Sequence, residues 1–166
     1  LDHDKDLLQN FYVNKGYIDF EVNTSVELTR AKDAFLLNYN IKEGRQYNFS
    51  EINFDITDID IDKNSLIKLN RIKEGSDFNQ RRIAKLVEEI DIYLSKNGYN
   101  FIEPVPLINR NNSELTMEVE IQLQKTKKIF VERIEVEGNS TTLDEVIRLQ
   151  FDFVEGDPFN RRKILK

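Results

Sequence analysis

The sequence has no cysteine, a single histidine and only three prolines in 166 residues. Without cysteine there are no disulfides, thiolate metal sites or cysteine nucleophiles, although this assigns no compartment. Any serine–histidine system or histidine-ligated metal would have to be built around His3 alone, at the start of the chain. Glycine-rich phosphate loops are absent. No apolar run reaches the ~18 residues of a membrane span, and Leu1-Asp2-His3-Asp4 does not read as a signal peptide. Basic residues are in deficit, 24 against 30 acidic, for a net charge of −6, which argues against the clustered basic face of a nucleic-acid binder.

What the sequence does have is a period. Set against itself at an offset of 81–82, Gly16-Tyr17 returns as Gly98-Tyr99, and Glu51-Ile52-Asn53-Phe54 as Arg133-Ile134-Glu135-Val136. Glu74-Gly75-Ser76-Asp77-Phe78-Asn79 returns as Glu155-Gly156-Asp157-Pro158-Phe159-Asn160. A fixed period signals a repeat architecture. The complete unit is 46–127, preceded in 1–45 by the second half of a repeat and followed in 128–166 by a first half. That division implies a piece of a longer array. A unit near 80 residues buries only ~60% of its unfolded surface, so each repeat is expected to lean on its neighbours or on a partner. Aromatic residues at 10% and a hydrophobic fraction of 39% are enough for ordered cores.

Along the chain, Leu7, Leu8, Phe11 and Tyr12 fall at helical spacing before Gly16. Tyr17–Leu28 and Phe35–Ile41 alternate as two strands of a hairpin. Tyr47–Ile56 reads as a strand, Ser65–Ile72 as a short helix, and Ile83, Leu86, Val87, Ile90, Tyr93 and Leu94 as one face of a longer helix capped by Asn79. Pro104 and Pro106 place the extended stretch Tyr99–Asn109 at a sheet edge. Leu115, Met117, Val119, Ile121 and Leu123 form the most regular alternation, expected mid-sheet. Phe130–Glu137 is expected to be the first strand again, Thr142-Leu143-Asp144-Glu145 a capping box, and Phe159–Lys166 the start of another long helix. The module is therefore β-α-α-β-β, of the α+β class, with two helices on a three-stranded mixed sheet. The helical crossover makes its first strand parallel to its last.

Asp58-Ile59-Asp60-Ile61-Asp62 invites a calcium reading, but an EF-hand loop needs glycine at position 6 and glutamate at 12. Counting from Asp58 gives Lys63 and Leu69, and from Asp60 gives Ser65 and Arg71, so turn and helix-cap acidity is the simpler account. No apolar pocket motif surrounds any carboxylate pair, and no enzyme or cofactor is expected.

The order of elements resembles the polypeptide-transport-associated (POTRA) repeat. The Gly-Tyr pair after the long helix, the Glu-Gly-x-x-Phe-Asn joint, and Val136-Glu137-Gly138-Asn139 ahead of Thr142, Asp144 and Val146-Ile147-Arg148 carry the resemblance. It spans the whole chain. The last motif is similar to the barrel-proximal repeat of outer-membrane β-barrel assembly proteins. One departure is Asp55-Ile56-Thr57-Asp58, where the family often has Gly-Asn.

The resemblance implies tandem POTRA repeats forming a periplasmic scaffold of the outer-membrane assembly machinery. It also implies a membrane barrel elsewhere in the protein, and as partners unfolded outer-membrane proteins and accessory lipoproteins. A related secretion or translocation barrel and a cell-division adaptor are the alternatives. On the residues, the best client site is an open strand edge, whose unpaired N–H and C=O groups accept any extended polypeptide. Phe20, Glu21, Val22, Asn23 and Thr24 lie in the long proline-free strand and are its candidates. By resemblance, Arg148 and Glu155 match charged positions that dock a helical-repeat lipoprotein; Leu149 and Asp152 stand where the family often has basic residues.

Overall fold

The computed structural model describes residues 2–57 and 59–159. The chain divides into two compact units, Leu1–Asp91 with Pro104–Leu123, and Ile92–Glu103 with Gln124–Lys166. In chain order the elements are α1 (Asp2–Val13), β1 (Glu21–Leu28), β2 (Phe35–Lys42), β3 (Asn48–Asp55), α2 (Lys63–Leu69), α3 (Gln80–Lys96), β4 (Ile102–Asn111), β5 (Thr116–Lys125) and α4 (Asp144–Arg148).

β3, β5 and β4 form a mixed three-stranded sheet in that order, with β3 parallel to β5. The regular alternation of β5 thus occupies the centre, and the strand with Pro104 and Pro106 lies at an edge, where a missing N–H costs no ladder bond. Met117, Val119, Ile121 and Leu123 of β5 are buried, as are Leu66 of α2 and Ile83, Leu86, Val87, Ile90 and Leu94 of α3. The i, i+3, i+4, i+7 spacing on α3 puts its apolar side chains on one stripe.

Two details of β3 were not visible in its alternation. Between Phe49 and Ile52 the strand advances three residues while β5 advances two, from Met117 to Val119. This bulge lets Phe49 and Phe54, of opposite parity, both reach the core. The outer edge of β3 is not wholly open either. Phe49 N–H donates to Ser76 O at 2.8 Å, Phe49 O accepts from Gly75 N at 2.7 Å, and Phe78 N–H donates to Tyr47 O at 2.9 Å.

The acidic loop behaves as local chemistry. Asp62 caps α2 by accepting from Asn64 N at 3.0 Å and Ser65 Oγ at 2.9 Å, and these bonds hold its carboxyl below the usual range. Asp55 accepts from the Thr57 hydroxyl and amide, with the same consequence. Asp58 lies outside the described residues. Asn79 caps α3 through Arg81 N at 2.9 Å.

The other unit departs from expectation at two places. Phe130–Glu137 does not form a strand; only an isolated bridge joins Phe130 to Pro158. The corresponding β3 is a strand because β5 pairs with it, and among the described residues the 130–137 segment has no such neighbour. The capping box at Thr142–Glu145 is not made: α4 starts one residue later, with Leu143 as a cap that forms no side-chain bond. Asp144 instead receives Arg148 Nε at 2.6 Å. The helix expected over Phe159–Lys166 lies outside the described residues beyond Phe159.

Candidate binding edge

The β1–β2 hairpin forms a two-stranded antiparallel sheet, so among the described residues β1 has a strand neighbour on one side only. Thr29 N–H donates to Ala34 O at 2.9 Å and closes the turn as a bonded pair. Antiparallel bonding alternates. Carried down the register, Glu27–Leu36, Ser25–Asn38, Asn23–Asn40 and Glu21–Lys42 are then bonded pairs. The backbones of Val22, Thr24, Val26 and Leu28 therefore face the open edge. Lys42 Nζ and Glu21 add a 3.2 Å ion pair at the far end.

The candidate residues fall into two groups. Glu21, Val22, Asn23 and Thr24 are the first four residues of β1. Phe20 lies just before it: its N–H donates to Tyr17 O at 3.2 Å, and its ring, 3% exposed, stacks on Tyr12 at 4.2 Å. Phe20 thus anchors the strand rather than lining its edge. The neighbouring Glu43 carboxylate pushes the Tyr12 phenol up.

Sequence reasoning did not find the cluster that ties this hairpin to the following repeat. Arg110, on β4, reaches Asp19 with both terminal nitrogens, at 2.8 and 2.5 Å. Its guanidinium lies 4.5 Å from the centre of the Tyr47 ring, and the Tyr47 hydroxyl donates to Asn112 Oδ1 at 2.9 Å. The bidentate pair holds the Asp19 carboxyl below its ordinary value. Around it, Tyr47 N–H donates to Gly16 O at 2.9 Å, Gln46 Nε2 to Lys15 O at 3.0 Å, and Asn79 Nδ2 to Asn14 O at 2.8 Å. Gly16 fits because a Cβ there would sit 2.4 Å from Tyr47 O, at a φ of +89°. The partners are 91 residues apart in the case of Arg110 and Asp19, so no local pattern announces them.

Arg148 and Glu155 are brought together in the other unit. Glu155 Oε1 accepts from Ile134 N–H at 2.9 Å and from Arg148 Nη1 at 3.2 Å, and Arg148 Nη2 donates to Ile134 O. The two side chains thus take both backbone polar groups of Ile134. The Ile134 amide and then the Arg148 guanidinium hold the Glu155 carboxyl down. Among the described residues, no group of three or more histidines and acids converges on a metal position, and no helix is long and apolar enough to cross a membrane.

The joint between the helices recurs in both units. Val131 N–H donates to Asp157 O at 2.9 Å, Gly156 N to Val131 O at 2.7 Å, and Phe159 N to Ile129 O at 2.8 Å. These are the bonds of Phe49, Gly75 and Phe78, moved by 81–82 residues. The helix ends recur as well: Tyr17 N–H donates to Tyr12 O at 3.1 Å and Tyr99 N–H to Leu94 O at 2.9 Å. A family model named POTRA, described as a surface antigen variable number repeat, matches residues 1–44 and 129–166. These two stretches belong to the POTRA family.

Curated relatives extend the similarity through the region between those two matches. The outer membrane protein assembly factor BamA of Neorickettsia risticii is 29% identical over 164 residues, covering 99% of this chain. That of Neisseria meningitidis is 24% identical over 166 residues, covering 97%. The chain spans 22% and 20% of these two proteins. Among solved structures, repeats 3–5 of Haemophilus influenzae BamA superpose with a TM-score of 0.71 at 18% identity. That match covers 99% of this chain and 65% of the other. At that identity the superposition speaks for the POTRA fold.

Proposed function

We propose that this POTRA chain is a non-enzymatic periplasmic scaffold of the outer-membrane β-barrel assembly machinery. In this reading it serves at the periplasmic face of the bacterial outer membrane, beneath a barrel contributed by the rest of the protein. It binds unfolded outer-membrane proteins by adding their strands to β1. The observation that carries this is the open edge of β1, with the backbones of Val22 and Thr24 turned outward. Backbone pairing is indifferent to client side chains, as a receptor for many barrels requires. The BamA names of the relatives support the setting. The recurrence of the joint favours a tandem scaffold over a division adaptor with one repeat.

The test is Val22→Pro, which removes one outward N–H. Binding of a labelled strand peptide from an unfolded outer-membrane barrel, read by fluorescence anisotropy, should weaken by at least about fivefold, the effect of losing one net hydrogen bond of ~1 kcal/mol. Unchanged binding would sink the reading.

Docking of an accessory lipoprotein at Arg148 and Glu155 is the second part of the proposal. Their side chains are 36% and 45% exposed, which leaves area for a partner. Glu155→Arg should abolish that docking. Because Glu155 also holds Ile134, exchange of the Ile134 amide in the free chain is measured alongside. Docking that persists in the variant overturns this part.

A further inference from the structure

A groove of about 460 Å³ lies in the first unit between the end of α2 and the first half of α3. Arg71, Lys73, Arg82 and Lys85 stand around it, with Glu89 as the one carboxylate. Leu69, Ile72 and the buried Leu86 line it with aliphatic surface. All four cations are exposed. Among the described residues none of the four forms an ion pair, and the Arg82 side chain makes only a 3.3 Å bond to Ser76 Oγ. On a chain of net charge −6 this is a local reversal of sign.

The joint does not need its two loop cations, Arg71 and Lys73. The second joint has the same backbone bonds, yet at an offset of 81 its residues are Asp152 for Arg71, Phe153 for Ile72 and Val154 for Lys73. Two loop cations that the repeated skeleton dispenses with thus join Arg82 and Lys85 of α3, whose counterparts Lys163 and Lys166 are also basic, and four like charges gathered over apolar surface call for an external anion. We propose that this groove is a binding site for an acidic polypeptide segment: carboxylates meet the four cations while one apolar side chain rests on Leu69, Ile72 and Leu86. The alternating charged and aliphatic lining matches such a segment. Three aliphatic side chains offer too little surface for the acyl chain of an anionic lipid. This site is separate from the β1 edge, and a segment bound here need not form a strand.

The probe is a fluorescein-labelled twelve-residue peptide of Asp and Glu around a central Leu, titrated with the chain and read by anisotropy. Binding is expected near ~0.1 M salt and should weaken by about fivefold or more near ~1 M, where the screening length falls from ~10 to ~3 Å. Arg82→Glu with Lys85→Glu should weaken it about tenfold. Both positions are exposed in the first turns of a helix, where glutamate suits propensity and dipole, and circular dichroism checks the fold. Arg71→Glu with Lys73→Glu, in the loop, repeats the test if the helix pair misfolds. Val22→Pro should bind the acidic peptide as well as the parent chain, which separates this site from the strand edge. No binding, equal binding of a Ser/Leu peptide of the same length, or full binding in both charge-reversal pairs would overturn the proposal. So would vesicles rich in phosphatidylglycerol binding at the groove while the peptide does not.

Discussion

In 48–55 and in 130–137 the same kind of sequence reaches two outcomes. Both segments follow a joint residue, Tyr47 or Ile129, and together with it each makes the same three backbone bonds around the Glu-Gly turn. Yet β3 is a strand with Phe49 and Phe54 in the core, whereas the later segment keeps one bridge and leaves Phe130 52% exposed. Those three bonds need only the segment and its Glu-Gly turn, which both repeats supply. A strand is a relation between two backbones, and only β3 has its neighbour, β5, among the described residues. The same lesson separates β5 from β2. Val119 and Ile121 are 0% exposed, while Leu37 and Ile41, also in an alternating strand, are 50% and 42% exposed. β5 has β3 and β4 on its two sides; among the described residues β2 has β1 alone.

The sharpest way to break this comparison is in the cores. Ile121→Ala should destabilise the chain by about 2–5 kcal/mol, and Leu37→Ala by less than ~1 kcal/mol, because only the first leaves a cavity. Urea denaturation of both variants decides it, and equal costs would mean that the hairpin is as well covered as the sheet. Next come the two Gly-Tyr glycines. Both have positive φ, but a Cβ at Gly98 meets nothing within 4 Å, while one at Gly16 meets Tyr47 O. Gly98→Ala should cost ~1 kcal/mol from backbone conformation alone. Gly16→Ala should cost more, about 1–3 kcal/mol beyond that, with the Tyr47–Gly16 bond lost.

A smaller effect is expected from pH. The folded-state pKa of Asp19 is depressed below its ordinary value of 3.8 by Arg110. Its contribution is therefore present above the unfolded value and is lost as pH falls through the folded one. Asp19→Asn should flatten that acid limb of the stability curve and leave its slope near neutrality unchanged. An NMR titration of the Asp19 carboxyl with a midpoint at or above 3.8 would contradict the pairing. The smallest change is local. Glu155→Ala should speed amide exchange at Ile134 while the denaturation midpoint stays put. The amide of Ile52, at the matching position of the complete repeat, should exchange as before.

Much of the fold was legible because it rests on short-range signals. The i, i+3, i+4 apolar stripe of α3 and its Asn79 cap, the prolines of β4, and the alternation of β5 each act within one element. The bulge in β3 was not legible, because nothing in Phe49–Ile52 shows that the partner strand skips a residue. The candidate edge was readable as a long proline-free alternation, but Phe20 was misplaced into it, since only packing against Tyr12 reveals where the turn ends. Arg148 and Glu155 were singled out by resemblance. Their shared grip on Ile134 emerged from the folded chain.

The amino-acid order alone determined the period, the kind and sequence of elements through β5, and the left-handed glycines that end α1 and α3 before a tyrosine. These follow from propensity and spacing over a few residues. Tertiary structure decided which alternating segments became buried strands, where Arg110 met Asp19, and that four scattered cations surround one groove. Each of those depends on groups far apart along the chain, and only packing brings them within the few ångströms over which hydrogen bonds, dispersion and charge act.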